Sequence, residues 1–435
     1  MQWCFAGAPL FTDATANLPQ DPNLHSLDAE FGDFDKDGDL DVAVAVENGL
    51  NLLYVNNGAG KFTRTTPFQS TARDGEDLHV ADFDKDGSLD LVLSTEEDQT
   101  HQFYLGNGNG TFRDVSSRIP WKCPGNALEA GDVDGDGYLD VAIGCVGQDL
   151  LLINDKQGGW KNETAQRLPA LGEGTQDVKF GDLDGDGDLD LVIGNETPKN
   201  RLLINNGGVY ADSAKNLPIP YVEETREVLL FDVDKDKDLD IVFCNITCNN
   251  CGRTDKNAQA RLLINDGKGR FSDETATRMP KNAFSAWDGG YLDFDADGDL
   301  DLILCAIEVP VFSPLLFRAY RNDGKGKFTD ATAEVMPPSA VGRGWDVEVA
   351  DLDKDGTLDM FLGGWGTQAR LLLGTVKQPV SLGKRPIHRL KKKSLRLMLL
   401  ESRPGTWAFI PVVEGYAGPE LMDVGGRALG TRPEY

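Results

Sequence analysis

The chain has 435 residues and a formal net charge of −28, with 71 Asp and Glu against 43 Lys and Arg. A surface this acidic repels phosphate, which argues against a nucleic-acid partner. No apolar run approaches the roughly 20 residues that a membrane-spanning helix needs, so no transmembrane segment is predicted.

Residues 1–7 are predicted to be an N-terminal extension outside the folded domain. The chain starts M-Q-W-C-F-A-G-A-P-L-F, which lacks the basic start and the continuous apolar stretch of a secretory signal peptide. A signal peptide is therefore not visible in this sequence.

One nine-residue motif, D-x-D-x-D-G-x-L-D, recurs seven times between residues 33 and 359, with starts spaced 49, 50, 50, 50, 61 and 58 residues apart. A long and nearly fixed period predicts a repeat architecture. The seven copies hold 32 of the 71 acidic residues. Four carboxylates within nine residues repel one another unless a hard cation lies among them.

Each period is predicted to form four short strands. In the fourth period these strands are 177–181, 189–194, 201–205 and 209–213, and N-G-G at 206–208 is a hairpin turn. The second strand is almost wholly apolar, which indicates burial on both faces. Four-stranded units of this kind are typical of propeller blades.

The two ends of the repeat array indicate a closed ring. The seventh period has a third strand at 369–373 but no fourth, whereas 10–19 (L-F-T-D-A-T-A-N-L-P) matches the outer strand of the sixth period at 327–337. We therefore predict an all-β, seven-bladed β-propeller over residues 8–376, in which the N-terminal strand closes the last blade and removes both open edges.

The segment 377–435 has no repeat and is rich in Lys and Arg, and it is predicted to be disordered. A basic, partly amphipathic stretch is also compatible with a membrane surface or with the acidic propeller. Among the seven cysteines, Cys244, Cys248 and Cys251 lie close together in the sequence. They are either free or joined by a short disulfide, and the pairing stays open.

The acidic motif is predicted to bind Ca²⁺, with up to seven ions per chain. Side chains 1, 3 and 5 converge in a tight loop, glycine 6 permits the turn, position 7 offers its backbone carbonyl, and Asp 9 closes the cage. Carboxylates without His or Cys favour Ca²⁺ over zinc or copper. An EF-hand is excluded because position 12 is apolar in every copy instead of Glu.

The predicted ligand positions 1, 3, 5, 7 and 9 are, copy by copy, Asp33, Asp35, Asp37, Asp39 and Asp41; Asp82, Asp84, Asp86, Ser88 and Asp90; Asp132, Asp134, Asp136, Tyr138 and Asp140; Asp182, Asp184, Asp186, Asp188 and Asp190; Asp232, Asp234, Asp236, Asp238 and Asp240; Asp293, Asp295, Asp297, Asp299 and Asp301; and Asp351, Asp353, Asp355, Thr357 and Asp359.

The loop, the apolar strand after it and the following N-[ND]-G-x-G-x-F-T-D-x-T resemble the FG-GAP/VCBS repeat of integrin α-subunit propellers and of proteins similar to cartilage acidic protein and bacterial VCBS-repeat proteins. The resemblance implies Ca²⁺ between strands 1 and 2 of each blade, a secreted, cell-surface or periplasmic location, and a role in adhesion or recognition. Lys237 replaces the loop glycine of the fifth copy. If that position needs a positive φ, the fifth site is the weakest.

Recognition is predicted at the end of the propeller opposite the acidic loops, which we call the top, because loops on a rigid scaffold often carry function. Trp287, Trp345 and Trp365, with Arg343 nearby, are candidates for stacking on a sugar, or else for packing between blades. An acidic residue also stands five positions before six of the seven motifs, while the third has Ala127. These acids are Asp28, Asp77, Asp177, Glu227, Asp288 and Asp346. They either bond backbone N–H groups of a neighbouring loop or form a cation-attracting funnel.

His25, His79 and His101 are also predicted at the top, and we expect them to be unrelated surface residues instead of a metal or acid–base set. No catalytic residue and no organic cofactor is predicted. The favoured function is a calcium-stabilised, extracytoplasmic monomer that binds a protein or glycan partner. The alternatives are a sugar-active enzyme similar to polysaccharide lyases, using the top-face His and acids, and a purely structural scaffold.

Overall fold

The computed structural model describes residues 8–68, 72–97, 99–219, 221–247, 258–282 and 284–377 with their side chains, and the backbone of 396–403 and 406–412. The chain divides into two compact units, Met1–His388 and Arg389–Tyr435. No helix among the described residues is both long and apolar enough to span a membrane.

The first unit is built from antiparallel strands grouped in fours, and we number the groups sheets 1 to 7 in the chain order of their first strands. Preceding sheet 1 is β1 (Phe11–Asp13). Sheets 1 to 4 contain β2 (Ser26–Gly32), β3 (Asp41–Val46), β4 (Leu52–Asn56) and β5 (Phe62–Thr65); β6 (Gly75–Ala81), β7 (Asp90–Thr95), β8 (Gln102–Gly106) and β9 (Phe112–Asp114); β10 (Gly125–Gly131), β11 (Asp140–Gly147), β12 (Leu150–Asn154) and β13 (Trp160–Asn162); and β14 (Glu173–Gly181), β15 (Asp190–Thr197), β16 (Arg201–Asn205) and β17 (Tyr210–Asp212).

Sheets 5 to 7 follow the same order, with one extra pair of strands in sheet 6. Their strands are β18 (Glu224–Phe231), β19 (Asp240–Ile246), β20 (Arg261–Asn265) and β21 (Phe271–Asp273); β22 (Ser285–Leu292), β23 (Asp301–Glu308), β24 (Ser313–Leu316), β25 (Arg318–Asn322), β26 (Phe328–Asp330) and β27 (Val341–Gly342); and β28 (Gly344–Ala350), β29 (Asp359–Gly364) and β30 (Arg370–Gly374).

In the part of the chain that the structure describes, helix occurs only as single turns that follow outer strands. The four-residue helices are α1 (Thr164–Arg167), α2 (Thr275–Arg278) and α3 (Thr332–Val335), and 3-10 turns occupy Thr15–Asn17, Ser116–Arg118 and Ala214–Asn216. The last residue of the preceding outer strand satisfies a free N–H group at the start of α1, because Asn162 Oδ1 accepts the Thr164 N–H at 3.0 Å.

The N-terminal strand completes sheet 7, as the sequence predicts. Strand β1 pairs with β30 in antiparallel register, with Phe11 opposite Gly374 and Asp13 opposite Leu372. The first strands of successive sheets lie side by side in chain order, and β28 of sheet 7 lies beside β2 of sheet 1. The two ends of the repeat array therefore meet.

In sheet 4 the third strand has its predicted bounds, but the first two are longer than predicted. Strand β14 begins at Glu173 and β15 continues to Thr197. Polar side chains extend the pairing beyond the apolar core, because Asn195 Nδ2 donates to Glu173 Oε2 at 2.7 Å. Apolar patterning alone does not reveal such a buried polar extension.

The core lies between neighbouring sheets, because the second strand of each group is buried along both faces. All six residues of β3 are buried, for example. Phe83 and Phe103 of sheet 2 contact Trp160 of sheet 3 with ring centroids 5.4 and 5.6 Å apart. Burial of apolar surface in each such layer stabilises the fold by roughly 25 cal/mol for every Å² removed from water.

A disulfide joins Cys123 and Cys145 within sheet 3, and the sequence did not predict this pair. Cys244 and Cys305 are buried free thiols. Cys248 and Cys251 lie outside the described residues, so their pairing stays open.

In the second unit, β31 (Arg396–Arg403) pairs antiparallel with β32 (Thr406–Val412). These strands fall within the C-terminal segment for which disorder is predicted. The rest of 378–435 lies outside the described residues.

Candidate calcium loops and an aromatic face

Each acidic motif forms the loop between the first and second strands of a sheet, and the seven loops share one backbone geometry. The N–H of position 6 donates to Oδ2 of position 1 in all seven, at 3.1 Å from Gly38 to Asp33 and at 2.9 Å from Gly87 to Asp82. The other five are Gly137–Asp132, Gly187–Asp182, Lys237–Asp232, Gly298–Asp293 and Gly356–Asp351. This bond curls positions 1 to 5 around a common centre.

Position 6 has a positive φ in every loop, between +81° and +91°. Lys237 has a φ of +81°, so the lysine of the fifth loop lies in a region that costs an L-residue roughly 1–2 kcal/mol. Position 4 also has a positive φ, which the sequence did not predict, and it holds Lys36, Lys85, Lys235, Ala296 or Lys354 in five loops.

The carboxylates of the loops fit a hard cation. One oxygen from each of Asp33, Asp35 and Asp37 lies within 4.8 Å of the others, and the same holds for Asp182 and Asp184 with Asp190. Several of these oxygens are buried and accept no hydrogen bond; they are Oδ1 of Asp33, Asp82, Asp134, Asp232, Asp234 and Asp295. A buried carboxylate oxygen without a partner is costly unless a cation satisfies it.

Asp at position 9 also anchors the loop to the sheet. In loop 4, Asp190 Oδ2 accepts the N–H of Leu183 at 2.9 Å, and Oδ1 accepts the N–H of Asn205 at 2.8 Å. Burial raises the pKa of Asp190 to about 7. This residue therefore shares its oxygens between the backbone and any bound ion.

Neighbouring loops are linked by the side chain at position 4. Lys36 Nζ donates to Ser88 Oγ of the next loop at 3.1 Å, and Lys85 Nζ lies 3.7 Å from the ring centroid of Tyr138. Lys235 pairs with Asp299 in the same way, and Lys354 of loop 7 pairs with Asp39 of loop 1. Each acceptor stands at position 7, whose predicted ligand atom is the backbone carbonyl, so its side chain is available for this contact.

An asparagine at the end of the third strand links neighbouring sheets, a role that the sequence analysis did not assign to it. Asn205 Nδ2 donates to Val133 O of sheet 3 at 3.1 Å and to Leu189 O of its own sheet at 3.0 Å. Its equivalents are Asn56, Asn154, Asn265 and Asn322. The signal was present in the sequence, because the asparagine recurs in five of seven repeats.

Three of the six acids before the motifs bond to the next inner strand instead of to a loop. Asp28 Oδ2 accepts the Leu78 N–H at 2.9 Å and Asp177 Oδ2 accepts the Val228 N–H at 2.7 Å. Asp77 bonds the Leu128 N–H at 2.6 Å, Asp288 bonds the Gly289 N–H, and Asp346 is buried. The predicted bond to backbone N–H groups is thus present in four of the six acids, but the partner is the next inner strand in three of them and the residue's own strand for Asp288, instead of a loop. Glu227 pairs with Lys179.

One cation lies among these acids. Lys179 Nζ is 3.2 Å from Asp177 Oδ1 and 3.1 Å from Glu227 Oε1. Burial raises the pKa of Asp28 to about 6, and burial together with the charge of Asp28 raises the pKa of Asp77. The inner strands therefore hold carboxyl groups that resist ionisation.

The three predicted tryptophans come together at the top. Trp287 and Trp345 have ring centroids 3.8 Å apart, and Trp345 stacks on Trp365 at 5.2 Å. Phe312 of the sheet 6 extension lies 5.9 to 6.1 Å from all three, and sequence reasoning did not find it because its loop lies outside the repeat. Trp345 is only 8% exposed, whereas the other three rings are half-buried. We call these four rings the aromatic face.

Charged groups border the aromatic face. Arg226 lies over Trp287 at 4.6 Å and Arg343 over Trp365 at 5.7 Å. Glu47 Oε2 accepts the Trp365 indole N–H at 2.7 Å and lies 2.7 Å from His25 Nδ1. The face thus combines half-buried ring surface with hydrogen-bonding groups at its edge.

The three histidines have separate surroundings. His25 packs on Trp365 at 4.9 Å, and His79 Nδ1 lies 3.2 Å from Glu30. His101 is fully buried, and its Nδ1 accepts the Thr95 N–H at 3.2 Å. His101 is therefore a core residue, and the expectation of a surface position for it is wrong.

Comparison with protein families gives one match that covers most of the chain. The FG-GAP-like repeat model matches at residues 33–93, 82–143, 132–193, 182–243, 232–304 and 311–362. No curated protein is significantly similar to the chain in sequence.

Solved structures show a similar fold. BBS1N in complex with ARL6DN is 10% identical with a TM-score of 0.51 over 86% of this chain and 98% of that chain. An Agrocybe aegerita lectin that recognises non-reducing terminal N-acetylglucosamine is 17% identical, with a TM-score of 0.47 over 78% and 85%. A Bacillus licheniformis rhamnogalacturonan lyase is 13% identical, with a TM-score of 0.46 over 82% and 72%. The likeness concerns the fold, which is all-β and propeller-like.

Proposed function

Because the chain belongs to the FG-GAP-like repeat family, we propose that it is a calcium-binding, seven-bladed propeller that acts outside the cytoplasm as a monomeric recognition module. In this proposal the seven acidic loops hold the blades together, and the aromatic face at the opposite end binds the partner. FG-GAP repeats are typical of extracellular proteins, which supports the proposed location.

Three links between the ends of the chain support closure into seven blades. Strand β1 pairs with β30, Lys354 pairs with Asp39, and Asn56 Nδ2 donates to Leu352 O at 2.8 Å. A closed ring leaves no open sheet edge, which protects the chain from edge-to-edge aggregation.

The orphaned loop oxygens support calcium binding. Asp33, Asp82 and Asp232 each leave Oδ1 buried without a hydrogen-bond donor, and Ca²⁺ accepts six to eight oxygen ligands in flexible geometry. Bound Ca²⁺ would supply the positive charge that the loops lack, and the loop residues would hold it at the base of each sheet. Metal binding to folded loops then adds to the stability of the native state.

The aromatic face is the observation that supports a glycan as the partner. Trp287, Trp365 and Phe312 offer half-buried ring surface beside Arg226, Arg343 and Glu47. Stacking of sugar C–H faces on indole rings, with hydroxyl groups bonded by charged side chains, suits such a border. A protein ligand presenting an apolar anchor is the second candidate for the same face.

Glycan-array binding of the calcium-loaded protein tests the proposal. Trp287→Ala and Trp365→Ala are expected to lower retention of the bound glycan by at least tenfold. Trp345→Ala is expected to have the same effect, because the middle ring supports both neighbours. The matched control is Trp160→Phe, since Trp160 is buried between sheets 2 and 3. Unchanged retention in all three aromatic-face variants, with the fold intact, argues against a sugar site there.

A sugar-active enzyme would need its acid and base groups at one pocket. His25, His79 and His101 have separate partners in this fold. We therefore place recognition ahead of catalysis. The test is incubation with a panel of polysaccharides, followed by measurement of new reducing or unsaturated chain ends. Formation of such ends would favour catalysis over recognition.

A further inference from the structure

We propose that the top of sheet 2 holds a cation site that is separate from the seven acidic loops, formed by Asp74, Glu76 and Glu97. Asp74 and Glu76 stand at the start of β6, and Glu97 follows the end of β7. One carboxylate oxygen from each lies within 4.8 Å of the others. The loop of the same sheet, residues 82–90, joins the opposite ends of these two strands.

Asp74 gives the independent evidence for a ligand. Its side chain is only 2% exposed, and its Oδ2 accepts the Glu97 N–H at 2.8 Å. Its Oδ1 is buried and accepts no hydrogen bond. Leaving a buried carboxylate oxygen unpaired is costly, and a coordinated cation would remove that cost.

The charges around the three carboxylates are also negative. Asp74, Glu96, Glu47 and Glu97 all act on Glu76, and burial together with these charges raises the pKa of Glu76 to about 9. The ion pairs of the nearby Arg226 are formed with Glu196 and Glu224. Arg226 acts on the neighbouring Glu96, which lies towards the aromatic face.

The ligand set specifies the class of ion. Three carboxylates without His or Cys select a hard divalent cation. Only Glu76 lies in a strand, whereas Asp74 precedes β6 and Glu97 follows β7. Such an arrangement tolerates the flexible, water-completed coordination of Ca²⁺ better than the strict octahedron of Mg²⁺. We therefore assign the site to Ca²⁺.

The proposed site adjoins the aromatic face through Glu47. The charge of Glu47 acts on Glu76, and its Oε2 accepts the indole N–H of Trp365. A cation at Asp74, Glu76 and Glu97 would reduce the repulsion among these acids and so steady the edge of the face. The site itself does not depend on what the aromatic face binds.

Equilibrium dialysis with radioactive calcium tests the site by counting ions per chain at saturation. Glu76→Gln/Glu97→Gln is expected to bind one ion fewer than the unchanged protein in the same preparation. The matched control is Glu308→Gln, another exposed carboxylate, which is expected to bind the full number. An unchanged count in the double variant overturns the proposal.

A second comparison separates a lost top site from damage to the loop of the same sheet. Asp84→Asn/Asp86→Asn removes ligands of loop 2, and combining it with Glu76→Gln/Glu97→Gln should remove two ions in total. If the combined variant loses only one ion, the top carboxylates act through loop 2 and the separate site does not exist. Glu97→Gln alone changes an exposed side chain, so it keeps the test meaningful if the double variant folds poorly.

Discussion

Lys354 in the seventh loop pairs with Asp39 in the first, across a sequence separation of 315 residues. The same contact joins Lys36 to Ser88 and Lys235 to Asp299 in consecutive loops. In the four loops with lysine at position 4, that side chain therefore reaches position 7 of the next loop, and the last loop reaches back to the first. These contacts join the acidic loops of neighbouring sheets directly to one another.

Removing calcium is expected to lower the melting temperature by about 10 °C or more, because several sites lose their ions together. The reason is that the orphaned oxygens of Asp33, Asp82 and Asp232 then face only other carboxylates. Differential scanning fluorimetry with and without a chelator measures the shift. Excess Ca²⁺ should restore the original value, and sodium chloride at equal ionic strength should not. An unchanged melting temperature contradicts calcium binding by the loops.

Lys237→Gly is expected to stabilise the protein by about 1 kcal/mol, because glycine tolerates a φ of +81° and the lysine side chain is exposed. Chemical denaturation in calcium measures this gain.

The converse change, Gly187→Ala, provides a matched test in loop 4. A Cβ at that glycine meets nothing within 4 Å, so only its φ of +91° opposes the substitution. A loss of about 1 kcal/mol is expected. Equal stability of both variants and the unchanged protein would show that position 6 is not strained.

Asp28→Asn is expected to raise the melting temperature clearly at pH 8 and only slightly at pH 4. Burial raises the pKa of Asp28 to about 6 in the folded state, above its ordinary value of 3.8. A carboxyl with a raised pKa stabilises the fold while it is protonated, and that contribution is lost as the pH rises from about 3.8 to about 6. Thermal scans are run in saturating Ca²⁺, so that titration of the loop carboxylates does not add to the pH dependence of the melting temperature.

Asp323→Asn is the control for this pH effect, because Asp323 lies exposed in a hairpin and bonds only backbone N–H groups. Its melting temperature should follow the unchanged protein at both pH values. If Asp28→Asn behaves like the control, Asp28 does not hold a proton in the folded state.

Asn205→Ala is expected to cost about 2 kcal/mol, because it removes the side-chain donor of the Val133 carbonyl and one of the two side-chain donors of the Leu189 carbonyl, which also accepts the Tyr210 O–H. Asn206→Ala, one residue further along, removes an exposed side chain and should stay within about 0.5 kcal/mol of the unchanged protein. Urea denaturation compares the two. Equal stability of both variants would mean that the asparagine between sheets is only a turn former.

The positions of the acidic loops, most strand positions and the pairing of β1 with β30 followed from the sequence. Ligand spacing, glycine placement and apolar runs are local signals, and a repeated period multiplies them. Even the missing outer strand was visible, because residues 10–19 match 327–337. The strained φ of Lys237 was likewise an expectation, since six equivalent positions are glycine.

The tertiary structure alone decided which side chains meet between sheets. Phe312 joins the tryptophans, Cys123 joins Cys145, and Asp74 meets Glu97 only once the strands are stacked and the loops beside them are placed. These contacts join residues that share no short spacing, and they depend on the twist and stacking of whole sheets. The sequence by itself therefore determined the repeated unit and the spacing of its acidic loop residues, whereas the packing of unlike loops at the top decided which rings form the aromatic face.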